Sequence, residues 1–262
     1  SLSIISSGGF KSVNEINYLL NTDFKIIIIS FTFLISFFSI FFSYNLIYYK
    51  KRQLSFFTED FYLLSYLIIV LFIFFAFFTN NNFPHLFFSI ASSVSNIGIF
   101  FTEYDHNLSF IYLILVIIGG SFFSTSSGIR FFKIYTLIKF SINELLSHTK
   151  PKQILLSKLI FDKNKVNNIV INKYFLSIII FISSLTVVSS LLSLTGLTFE
   201  NSIKLGILTI MNTVNSSLFN VGDFDFYNLN NMSKMIFIIF MIIGRVELIT
   251  LVILIKKYLF KN

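Results

Sequence analysis

Three glycines, Gly9, Gly98 and Gly222, stand in the same local setting in this chain. Six residues before each lies a serine (Ser3, Ser92, Ser216), and four before lies an aliphatic residue (Ile5, Val94, Leu218). Two before each is a small polar residue: Ser7, Asn96 or Asn220. Glycine belongs where a backbone turns at positive φ or approaches a ligand closely. The chemistry open to such turns is backbone chemistry. Carbonyls around Ser7 and Gly9, around Ser95, Asn96 and Gly98, and around Asn220, Val221 and Gly222 can replace a cation's hydration shell. The plainer alternative is a short interfacial helix capped by a glycine.

Two further groups stand out. Gly119-Gly120-Ser121 and Ser124-Thr125-Ser126-Ser127-Gly128 interrupt an apolar run with small and hydroxyl residues. Arg245 and Glu247 sit inside another apolar run. A mid-membrane arginine costs about 2.5–3.5 kcal/mol on insertion scales, so it must face a cavity or a partner. Pairing with Glu247 is the weaker account, because residues two apart on a helix do not face each other. Catalytic constellations are missing. His85, His106 and His148 are far apart, cysteine is absent, and neither a phosphate-binding loop nor a Ser–His–Asp set occurs. The chain does not read as an enzyme.

The elements that carry these groups are apolar. Of 262 residues, 55% are hydrophobic and 12% charged, about half the charged fraction of a soluble domain. Five runs approach the ~20 residues that a transmembrane helix needs: Ile26–Tyr48, Phe61–Thr79, Leu108–Ile129, Tyr174–Leu197 and Met235–Ile255. Two shorter segments, His85–Val94 and Ile203–Leu218, lead into the second and third glycine turns. The interior of Leu108–Ile129 is expected to be unwound or kinked, since each glycine weakens a helix by roughly 1 kcal/mol relative to alanine. No signal peptide is read at Ser1–Phe10.

Orientation follows from Lys and Arg. Placing Lys50-Lys51-Arg52 inside leaves fifteen of the twenty basic residues cytoplasmic and seven of the twelve acids outside. Glu103, Asp105, Asp223 and Asp225 then lie near an outer mouth, where they either concentrate cations or are ordinary loop acids. The scheme closes only if both short segments re-enter from outside without crossing. Irregular backbone at membrane depth survives only when buried in protein or lining a water-filled cavity. The net charge of +8 is thus a positive-inside surplus, and no nucleic-acid partner is inferred. The reading is an all-α membrane protein of repeated span–pore-loop–span units. Its divisions fall at 1–52, 53–142, 143–173 (a cytoplasmic connector) and 174–262.

Here the residues reach a family. The repeat resembles the pseudo-four-fold Trk/Ktr/HKT superfamily of potassium transporters, most closely its TrkH-like branch. The stretch from Gly119 to Arg130 resembles the family's intramembrane loop. Asn220-Val221-Gly222 resembles the fourth filter turn, Gly244-Arg245-Val246-Glu247 the last span, and His148-Thr149-Lys150-Pro151 the linker between the third and fourth units. The resemblance implies uptake of potassium, or sodium, across the bacterial cytoplasmic membrane, with K+ held at the backbone of Gly9, Gly98 and Gly222. The loop residues Gly119, Gly120, Ser121, Ser124, Thr125, Ser126, Ser127 and Gly128 become a gate, with Arg245 as a cationic barrier. No covalent cofactor is implied. The implied partners are a second copy and a cytosolic RCK/KTN ring of the TrkA type.

That ring would dock on Lys150, Lys152, Lys158, Lys163, Lys165, Lys173 and Lys256-Lys257, gripping the loop through Arg130-Phe131-Phe132-Lys133 and Lys139. The chain departs from the family in showing three turns of four. The first unit and half of the second are missing, so it reads as the C-terminal part of a longer protein. The alternative is a non-conducting scaffold or truncated gene product.

Overall fold

A computed structural model describes residues 22–39, 42, 56–77, 83–99, 108–149, 168–213, 219–221, 229–245 and 257–258. Within these, α1 is Asp23–Phe37, α2 Phe56–Phe77, α3 Phe83–Val94 and α4 Ser109–Ile117. A parallel pair of two-residue strands, β1 (Ile118–Gly119) and β2 (Ile129–Arg130), closes a loop, with Ile118 opposite Ile129 and Gly119 opposite Arg130. Then follow α5 (Phe131–Thr149), α6 (Asn168–Leu194), α7 (Phe199–Ile210) and α8 (Asn231–Arg245).

Two of these helices are long and apolar enough to cross a bilayer, over Glu59–Phe77 in α2 and Val170–Leu194 in α6. Both turn apolar side chains outward, among them Ile68, Ile69 and Phe72 on α2 and Phe175, Ile179 and Ile182 on α6. Such outer faces suit lipid. The short helices behave in the opposite way. In α3 every residue from Leu86 to Val94 is buried, and in α7 so is every residue from Leu205 to Ile210. Pro84 starts α3 in its first turn, where no intrahelical N–H is required. Its serines stay satisfied by returning their hydroxyls to the turn behind: Ser89 Oγ donates to the His85 carbonyl and Ser93 Oγ to that of Ser89 (2.8 Å each). A polar-speckled helix can therefore be buried on all sides.

The core joins these layers. α3 packs on α1, α2 and α4, and α7 packs on α6, α8 and α4. Phe33, Phe37, Phe88 and Tyr112 are its largest aromatic side chains on the first side, and Val188, Leu192, Leu205 and Met211 fill the second.

Several boundaries differ from the sequence expectation. The first span, expected to reach Tyr48, ends as a helix at Phe37, giving about 22 Å where a crossing needs about 30 Å. Tertiary bonds stop it. Phe38 is extended, the Ser39 N–H turns to Asp60 Oδ1 (3.1 Å), and the Ser36 and Phe37 carbonyls accept from the 119–128 segment. The segment expected to run to Leu218 ends at Ile210. Residues 43–50 and 246–255 of the expected spans lie outside the described residues. The interruption of Leu108–Ile129 is present, from Ile118 to Arg130.

Candidate cation path

The turn after α3 is built from its hydrogen bonds. Backbone N–H groups of Ser95, Asn96 and Ile97 donate to the carbonyls of Ala91, Ser93 and Ser92 (3.1 Å each), and the Ile99 N–H donates to Ser92 Oγ (2.9 Å). Asn96 and Gly98 have φ of 60° and 75°. Ser95 to Ile99 are all buried. Donors are thus spent on the helix side, and the turn's remaining polar capacity is carbonyl and side chain.

The same pattern recurs after α7, and it corrects one expectation. N–H groups of Met211, Asn212 and Thr213 donate to Ile207, Thr209 and Leu208 (2.9, 3.1 and 2.9 Å), and Asn212 has φ of 52°. α3 and α7 are both twelve residues long. The counterpart of Ser95-Asn96-Ile97 is therefore Met211-Asn212-Thr213, not Asn220-Val221-Gly222. Asn220 does turn at φ 49°, but its carbonyl accepts from Lys204 Nζ (3.1 Å), which also pairs with Glu200, while Val221 is buried. That segment is tied back to the start of α7 rather than to its end. A search indexed on glycine misses Asn212, although asparagine enters the left-handed region more readily than other side chains. Gly222, Gly9 and Ser7 lie outside the described residues.

The 119–128 loop is held by three anchors. Its Ser121 and Ser126 N–H groups donate to the Phe37 and Ser36 carbonyls (3.1 Å each), capping the end of α1. Its Phe122 N–H donates to both carboxylate oxygens of Glu59 (3.1 and 3.3 Å). From inside, Arg130 Nη1 donates to the carbonyls of Ser121, Ser124 and Ser126 (3.1–3.2 Å) and to Ser124 Oγ (3.0 Å). Ser126 Oγ accepts from the Gly120 N–H (2.9 Å). The loop has a fixed shape even though it forms no helix. Gly120 is required here: a Cβ would collide with the Phe37 carbonyl and the Ser126 and Ser124 hydroxyls. Phe122 and Phe123 stay exposed as an edge-to-face pair.

Glu59 and its neighbour Asp60, buried to 4% and 1% exposure, went unnoticed in the sequence, where they precede the second apolar run like loop acids. Adjacent acids abutting an apolar run without an adjoining base are the signal that would find them.

A cavity of about 120 Å³ joins the remaining pieces. The loop (Thr125 to Arg130), the end of α7 (Ile210, Met211), Lys133, and Gly244 with Arg245 all line it. Arg245 thus lies beside the loop, as expected from the sequence. α8 is seated against α7 by Gly244, whose Cβ position is filled by the Ile210 carbonyl, and by Asn212 Nδ2 donating to the Met241 carbonyl (3.0 Å). Glu247 lies outside the described residues.

The expected docking flank is also corrected. Lys133 is only 9% exposed, Arg130 is engaged by the loop, Phe131 packs on Tyr66 and Tyr135, and Phe132 on Tyr174. The exposed apolar residues of α5 lie farther along, at Ile138, Ile142, Leu145 and Leu146. Among the other outer-mouth acids and histidines, Glu103, Asp105, His106, Asp223 and Asp225 are outside the described residues.

A family model described as TrkH, cation transport protein, matches residues 101–260, more than half of the chain. Among solved structures, the crystal structure of the potassium transporter TrkH from Vibrio parahaemolyticus matches with a TM-score of 0.79 at 20% identity. The match covers 96% of this chain and 56% of that one, so the chain spans little more than half of that transporter's length. At this identity the likeness speaks for the fold. A search of curated protein sequences finds no match.

Proposed function

The chain belongs to the TrkH family of cation transport proteins, and from that premise we propose that it lines a path for potassium ions across a bacterial cytoplasmic membrane. The observation that carries this reading is the pair of buried, twelve-residue helices ending in identically bonded turns. A helix C-terminus carries roughly half a negative charge, so two such ends favour a cation between them. Carbonyls at Ser95, Asn96 and Gly98 and at Met211 to Thr213 supply neutral oxygens. We assign Gly9 with Ser7 to a further turn by sequence, and move the fourth turn from Gly222 to Asn212. The same recurrence supports unit divisions near 53, 143 and 174.

Beneath the turns, the loop and Arg245 form the gate. Its hydroxyls and Gly119, Gly120 and Gly128 let irregular backbone pack where a helix would leave orphan groups, while the guanidinium opposes cation entry into the cavity. The partners we propose are a second copy and a cytosolic nucleotide-binding ring. Burial of the 130–133 flank moves the ring's contact to Lys139 and the exposed residues beyond it on α5, together with the connector lysines. Sodium in place of potassium is the alternative cargo.

The full-length gene product, expressed in a bacterium lacking its own potassium uptake systems, tests this. Growth on low potassium with wild type, and its loss in Gly98→Val at equal membrane abundance, is expected. No growth and no rubidium or sodium uptake by the inserted wild type would overturn the reading.

A further inference from the structure

Seven buried side-chain polar atoms lack a hydrogen-bond partner among the described residues, and three of them lie on the two turns. These are Oδ1 and Nδ2 of Asn96, which is wholly buried, and Oγ1 of Thr213, 3% exposed. The neighbouring groups are all spent: Ser95 Oγ reaches the Ser92 carbonyl, Ser92 Oγ accepts from Ile99, and Asn212 Nδ2 serves α8. Burying an amide and a hydroxyl without partners is costly, so each position implies an occupant outside the protein's own hydrogen bonds.

We propose that the Asn96 carboxamide and the Thr213 hydroxyl are side-chain ligands of the transported cation, adding to the carbonyl oxygens of their turns. This rests on the cation-path reading above. The donor set is a carboxamide oxygen, a hydroxyl oxygen and backbone carbonyls, all hard and all uncharged. Such a set suits a monovalent cation, whereas divalent cations are held by carboxylates. Asn96 Nδ2 is then satisfied by a water that moves with the ion. The fourth turn, which lacks a glycine at Asn212 and Thr213, gains by side chain a ligand that its strained backbone does not have to supply.

The test uses the full-length protein in the uptake-deficient bacterium, with rubidium as tracer and barium as blocker, and with detergent melting to follow folding. Thr213→Val removes an unpartnered buried hydroxyl, so it leaves melting unchanged or raised. It is expected to weaken apparent rubidium affinity about tenfold, the loss of one ligand-strength hydrogen bond, with Thr213→Ser restoring it. Asn96→Asp puts a charge on the path and is expected to lower the half-blocking barium concentration about tenfold. If the two groups merely hold a buried water, folded Thr213→Val and Asn96→Asp proteins will show wild-type rubidium affinity and barium sensitivity, and the proposal is overturned. An Asn96→Asp chain that fails to insert leaves Thr213→Val to decide. A wild type that moves no cation removes the function itself, an outcome separate from both.

Discussion

The third and fourth units solve one problem in two ways. In each, a second span must pass close to a carbonyl-bearing helix end. α8 does this as an unbroken helix from Asn231 to Arg245, with Gly244 pressed to the Ile210 carbonyl. The third unit breaks after Ile117, sends Gly119 to Gly128 through a tied loop with Gly120 pressed to the Phe37 carbonyl, and resumes as α5. The difference lies in who satisfies the backbone. α8 satisfies its own, so one glycine suffices for the approach. The loop gives up helical bonds and must recover them from α1, Glu59, Arg130 and its own serines. Continuity thus costs one small residue, and interruption costs a constellation.

The largest effects should come from filling the two glycines. Gly244→Ala and Gly120→Ala each drive a Cβ into a carbonyl and should destabilise by about 3 kcal/mol or more, at or beyond the upper end for overpacked sites. Melting of the purified full-length protein reads this, and near-wild-type melting in both would remove the shared docking logic. Next comes a change that separates the units. Arg130→Lys replaces a planar fork with a point charge and should cost about 1.5–3 kcal/mol, because charge-assisted bonds to the loop carbonyls are lost. Hydrogen exchange should rise in 119–128 and stay unchanged in α8; a rise in α8 of equal size would contradict the separation.

Glu59→Ala leaves the Phe122 N–H without its acceptor and should cost about 1–3 kcal/mol. It should also raise rubidium flux by loosening the loop, with Glu59→Gln closer to wild type because an amide oxygen still accepts. Lower flux in a folded Glu59→Ala protein would mean that the anchor holds the path open. Arg245→Ala should barely move melting, since Arg245 is exposed to the cavity, yet it should increase cation flux. Unchanged flux would argue against an electrostatic barrier. The smallest effect is expected from Gly222→Ala, with growth on low potassium preserved, while Asn212→Ala loses about 1–2 kcal/mol from its left-handed backbone. The reverse ranking would return the fourth turn to Gly222.

Much of this was legible in the chain itself. Apolar run lengths marked α2 and α6, small residues marked the break after Ile117, and charge placement required two re-entrant segments, later seen as α3 and α7. These properties depend on local chemistry: which backbone can stay helical, and which side chains tolerate lipid. The end of α1 at Phe37, the burial of Glu59 and Asp60, the inward turn of Lys133 and the fourth turn at Asn212 were set by tertiary structure. Each depends on a bond to a partner distant in sequence, such as Phe122 to Glu59 across 63 residues or Asn212 to Met241 across 29. Local composition fixes what a segment is able to do. Which carbonyl, carboxylate or helix end it meets is decided only when the distant segments are packed together.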